Sequence, residues 1–174
     1  MSIRSLSLSI LLVMVFAAGF SPATAGTLVV VVRHAEKAAP EGDPELTLEG
    51  RRRAEALART VSGLELDAIY STPYRRTLDT AAPASSQTGL PIREQPIGDR
   101  SLEEWVAAEA ERIVAENPDG SVLVVGHSNT VPLIVAALCG CDAGSIADDE
   151  YDAFFVVHAE TVGRGEMIRV RYGE

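Results

Sequence analysis

The chain has 174 residues, 47% of them hydrophobic and 23% charged, a balance that suits one globular domain and little more. Its formal net charge of -10 argues against a general nucleic-acid or anionic-membrane surface, so a pocket for an anion would have to be a local cationic island. Neither the Cys-x-Cys pair nor the three scattered histidines makes a recognisable ligand set, and no metal or cofactor is expected.

The N-terminus reads as an export signal. Arg4 supplies a positive start, residues 10–18 form a short apolar run, and Ala23-Thr24-Ala25 gives a small-x-small cleavage pattern. The run is too short for a comfortable membrane span. Cleavage after Ala25 leaves residues 26–174 as a single domain, periplasmic or secreted and without stable membrane association. Export permits a disulfide between Cys139 and Cys141. So short a loop is unfavourable geometry, however, and reduced thiols near a helix end are expected.

The first element is Thr27-Leu28-Val29-Val30-Val31-Val32, an apolar, mostly β-branched run that stops at Arg33-His34. Such a run suits a strand buried on both faces. A loop rich in Pro, Gly and acids follows, and then a helix to about residue 61. Thr47 is its N-cap, and Leu48, Ala54, Leu57, Ala58 and Val61 share one face. Arg51, Arg52 and Arg53 point in different directions and read mostly as a solvated face.

Leu66-Asp67-Ala68-Ile69-Tyr70 reads as the second strand, and residues 74–82 as a helix ending before Pro83. Arg75 and Arg76 in its first turn are electrostatically misplaced, which suggests an anionic partner. A short strand at 90–93 precedes a helix over 102–116 carrying Trp105, Val106, Ile113 and Val114. Ser121-Val122-Leu123-Val124-Val125 is a second strongly apolar strand, ending at Gly126-His127. A helix over 131–138 and two strands at 154–158 and 167–172 complete the order. Strands alternating with helices imply an α/β three-layer sandwich with a mainly parallel central sheet.

Three strand ends thus deliver Arg33 with His34, Arg76, and His127. C-terminal ends of parallel strands share one edge, so these groups can converge into a cationic pocket. Phosphate fits it best, because arginine forks bind its oxygens in pairs and a neutral imidazole can attack phosphorus.

Four blocks carry a family resemblance. Arg33-His34-Ala35-Glu36 resembles the Arg-His-Gly-Glu signature of the histidine phosphatase superfamily, which includes the cofactor-dependent phosphoglycerate mutases. Residues 43–50 are similar to its Asp-x-Pro-Leu-Thr-x-x-Gly segment, residues 71–81 to its Ser-x-x-x-Arg-x-x-x-Thr-Ala block, and Gly126-His127 to its Gly-His segment. The resemblance implies a phosphoglycerate mutase-like fold and a phosphomonoester hydrolase working through a phosphohistidine on His34. Arg33, Arg76 and His127 would hold the transferred phosphate, and the family spacing to Thr80 selects Arg76 over Arg75.

The resemblance also implies a proton-donating carboxylate. Glu104, in Leu102-Glu103-Glu104, matches the pattern, with Glu36, Glu41 and Asp43 as competitors. Ala35 replaces the usual glycine, and the short spacing between blocks leaves little room for a cap domain, as in the compact phosphatases. A small phosphoester is the expected partner, and the oligomeric state is open. The alternatives are a mutase-like phosphoryl transferase and a non-catalytic phosphate-binding module. His158, in a late strand, reads as structural.

Overall fold

A computed structural model describes residues 25–173. Apart from Ala25, the expected export signal lies outside the described residues. Six strands form one sheet in the order β3-β2-β4-β1-β5-β6. They are β1 Thr27–Arg33, β2 Ala68–Ser71, β3 Ile92–Glu94, β4 Ser121–Gly126, β5 Ala153–Thr161 and β6 Arg164–Arg171. The first four run parallel, while β5 and β6 are antiparallel to their neighbours.

The valines of β1 explain the layering. Side chains alternate across a strand, so Val29 and Val31 enter one core and Val30 and Val32 the other, each of the four fully buried. The first core holds Trp105, Val106 and Ile113 of α3 (Leu102–Glu116) and Val131, Ile134 and Leu138 of α4 (Val131–Cys139). The second holds Leu57, Ala58 and Val61 of α1 (Leu48–Val61) and Ala81 and Ala84 of α2 (Arg75–Thr88). Helix pairs on both faces make the three-layer α/β sandwich.

Several expectations change in detail. Helix α2 continues through Pro83 and ends at Gly89, whose φ of 75° is left-handed. An internal proline costs a helix bond, but Ala81 and Ala84 on either side are buried in the core and hold the turn together. Leu48 is exposed and leaves the apolar face assigned to it. Thr47 does cap α1, its hydroxyl accepting from the Gly50 N–H at 2.9 Å.

Cys139 and Cys141 form a disulfide, contrary to the reduced thiols expected. Gly140, at φ 68° past the end of α4, turns the chain so that the two Cα atoms stand 5.2 Å apart, within bridging range.

Gly50 matters for the site as well as for α1. A Cβ there would collide with the backbone carbonyl oxygen of Glu36, two residues after His34. That carbonyl already accepts from the Thr47 N–H at 2.8 Å and cannot retreat freely. Gly50→Ala is therefore expected to cost about 1–3 kcal/mol despite alanine's better helix propensity. Urea unfolding of the variant checks this.

Candidate phosphate site

The sheet order brings the predicted side chains together. β4 lies between β2 and β1, with Arg33 paired to Gly126 and Ser71 to Val125. The His34 N–H donates to the Gly126 carbonyl at 2.8 Å. Three neighbouring strands therefore end side by side, and their next residues meet at one edge. The result is a pocket of about 320 Å³ lined by Arg33, His34, Lys37, Arg76, His127 and Asp148 among others. The His34 and His127 rings pack edge to face with centroids 5.4 Å apart.

His34 is buried, and its Nδ1 lies 2.8 Å from the Ala35 carbonyl oxygen. A carbonyl only accepts, so Nδ1 carries the proton and Nε2 keeps its lone pair. Burial, followed by the charges of Arg33, Arg76 and Lys37, outweighs that hydrogen bond and lowers the His34 pKa to about 4. The Ala35 N–H donates to Thr80 Oγ1 at 2.9 Å, tying the chain after His34 to α2.

His127 is fixed from two sides. Its Nε2 stands 2.8 Å from Thr72 Oγ1, and Arg76 Nη2 approaches Nδ1 at 3.4 Å. An arginine nitrogen can only donate. Neutral His127 therefore accepts at Nδ1 and donates its Nε2 proton to Thr72. Burial, then the facing His34 and the charges of Arg76, Arg33 and Lys37, lower its pKa to about 3.

These two shifts tie stability to pH. Because both pKa values lie below the ordinary 6.5, the folded chain binds fewer protons than the unfolded one in that window. The stability they confer is present above about pH 6.5 and lost as pH falls toward 4 and then 3, by up to about 1.4 kcal/mol per pH unit for each ring. Thermal melts are expected to drop between pH 7 and 5, and to drop less in His127→Gln.

Both arginines are anchored by the protein itself. Arg33 Nη1 donates to the carbonyls of Ala147, Asp148 and Glu150 at 2.8, 2.9 and 3.1 Å. Its guanidinium lies 4.2 Å from the centroid of the Tyr151 ring. Arg76 lies over Tyr74 at 4.4 Å and pairs with Asp43 at 3.4 Å. Asp43 also accepts from the Arg75 N–H at 2.8 Å and so caps α2 from outside. The misplaced cations at this helix start thus have an anionic partner within the chain. Arg33 Nε and Arg76 Nε are buried without a partner.

Glu104 is not brought to the pocket. It is exposed and closes a capping box, accepting from the Ser101 N–H at 3.0 Å while the Ser101 hydroxyl accepts from the Glu104 N–H. These bonds lower its pKa. Glu36 is half-buried against Arg53 at 2.7 Å, so one of the three consecutive arginines is not solvated. Neither Glu36, Glu41 nor Asp43 lines the pocket. His158 pairs with Leu28 at the opposite end of β1, far from His34.

Residues 29–105 match the histidine phosphatase superfamily (branch 1). Over that segment the chain is similar to the histidine phosphatase superfamily. The matched segment holds Arg33, His34 and Arg76, while His127 follows it. Phosphoserine phosphatase 1 of Hydrogenobacter thermophilus is 32% identical over 99 residues. That alignment covers 52% of this chain and 47% of the relative, so the chain spans about half the length of the curated relative it matches.

Solved structures of other proteins share the fold. The protein histidine phosphatase SixA complexed with tungstate superposes with a TM-score of 0.63 at 21% identity, over 83% of this chain and 96% of that one. A mycobacterial glucosyl-3-phosphoglycerate phosphatase with inorganic phosphate gives 0.60 at 21% identity, over 81% and 95%.

Tyr74, Tyr151, Thr72 and Asp148 were not singled out by the sequence. Thr72 and Tyr74 lie inside the quoted 71–81 block, so their proximity to Arg76 was a usable signal. Tyr151 and Asp148 had none, since their loop is placed only by docking onto Arg33.

Proposed function

We propose that this chain is a histidine phosphatase superfamily member, a phosphomonoester hydrolase that forms a phosphohistidine on His34. The observation that carries the reading is the lone pair at His34 Nε2, held free in a pocket with two arginines and a second neutral imidazole. Nε2 attacks phosphorus in line, and the alkoxide leaves on the far side. Arg33 and Arg76 hold the equatorial oxygens, where a loose transition state spreads its charge, and His127 helps to position Arg76 through its Nδ1. Water then attacks the phosphohistidine, the P–N bond breaks, and its electron pair returns to the imidazole. The arginines supply the positive charge, so the reaction as proposed calls for no metal or cofactor.

The substrate is proposed as a small phosphoester. The partial match to a phosphoserine phosphatase makes phosphoserine the first compound to test. Export and cleavage after Ala25 remain part of the proposal, and the Cys139–Cys141 disulfide supports an oxidising compartment. The test is inorganic phosphate release by residues 26–174 from a panel of phosphoserine, sugar phosphates, polyol phosphates and p-nitrophenyl phosphate. Free phosphate with a burst is expected. Isomerised product would favour the mutase alternative, and phosphate binding without turnover the non-catalytic one.

A further inference from the structure

The proposed reaction needs a proton donor for the leaving alkoxide, and the pocket contains a carboxylate that the sequence did not single out. Among the described residues, Asp148 is the one Asp or Glu that lines it. It lies on the loop from Cys139 to Ala153 that joins α4 to β5. The loop is held at several points. Arg33 Nη1 grips the carbonyls of 147, 148 and 150 from the pocket side. The Glu150 carboxylate accepts from the Ala147 N–H at 3.2 Å and from Arg169 at 2.7 Å. This fixes the backbone of Asp148 beside Arg33 while its own side chain stays exposed.

The other nearby carboxylates are already paired. Asp43 caps α2 and pairs with Arg76, Glu36 pairs with Arg53, and Glu45 pairs with Arg75. The Asp148 carboxylate has no hydrogen-bond or ion-pair partner among the described residues. Position agrees with chemistry. His34 is buried and Asp148 is exposed, and both line the pocket. In-line displacement sends the leaving oxygen away from the buried nucleophile, toward the solvent side.

We infer that Asp148 is the general acid and base of this site, an inference that rests on the phosphohistidine reading. In the first step the His34 Nε2 pair forms the P–N bond and the P–O ester bond breaks. The departing oxygen takes its proton from the Asp148 carboxyl, yielding the free alcohol and a carboxylate. In the second step that carboxylate takes a proton from water as the water oxygen bonds to phosphorus and the P–N bond breaks. Inorganic phosphate leaves with Asp148 protonated again.

The test is Asp148→Asn, which keeps the backbone carbonyl that Arg33 grips, assayed on two esters. An alkyl phosphate needs protonation of its leaving group, whereas p-nitrophenolate departs without it. The variant is expected to lose about 10²–10³-fold in kcat/KM on the alkyl ester. On the nitrophenyl ester kcat/KM should change little, with a full burst and a slowed steady state as phosphohistidine accumulates. Asp148→Glu should recover part of the alkyl activity. Equal losses on both esters, or no loss on either, overturn the assignment. With an active wild type such a result strikes the role of Asp148 alone. A wild type that releases phosphate from neither ester overturns the phosphatase reading and this inference with it.

Discussion

His34→Ala is expected to lose at least ~10⁴-fold in kcat, the scale seen when a covalent nucleophile is removed from an enzyme. No other side chain in the pocket presents an equivalent atom. His127 is neutral as well, but its Nε2 donates to Thr72 and its Nδ1 faces Arg76, so neither nitrogen is free to attack. Phosphate affinity should fall far less, about tenfold at most, because Arg33 and Arg76 remain. That split between kcat and binding is what separates a nucleophile from a binding residue. Stopped assays together with phosphate calorimetry on the variant read both halves.

Arg76→Ala is expected to cost about 10²–10³-fold in kcat, the range for losing one preorganised donor to a developing charge. The arginine also works on its neighbour. Its charge helps to hold the His127 pKa near 3 and its Nη2 occupies Nδ1. Without it the His127 pKa should rise, and the acid limb of the rate profile should move to higher pH. Arg76→Lys should restore charge but little rate, since an ammonium lacks the fork that faces Asp43, His127 and the phosphate together. Proton NMR titration of His127 in the two variants distinguishes charge from geometry.

Much of this arrangement was legible before any coordinates. Four valines in β1 and the apolar β4 declared buried parallel strands, and parallel strands align their C-terminal ends. Arg33, His34 and His127 had to fall on one edge for that reason, and the 71–81 block carried Arg76 to it. What stayed hidden depends on contacts distant in sequence. The loop bearing Asp148 and Tyr151 reaches the pocket because Arg33 holds its carbonyls, a contact spanning more than a hundred residues. Glu104 shows the reverse case. Ser101-x-x-Glu104 is a capping-box pattern readable in the sequence, and the local bond at the helix start holds that carboxylate away from the pocket. The cysteines turned on a single backbone angle, the left-handed Gly140, which no spacing rule contains.

The central claim is a covalent bond between phosphorus and His34 Nε2. It is tested most directly by mixing the protein with a ³²P-labelled phosphoester, quenching within one turnover in base, and mapping the label by peptide mass spectrometry. The expected result is a base-stable, acid-labile phosphoryl group on the peptide containing His34, formed and lost at rates that account for turnover and absent from His34→Ala. Turnover with no protein-bound label, or label on any other residue, would contradict it.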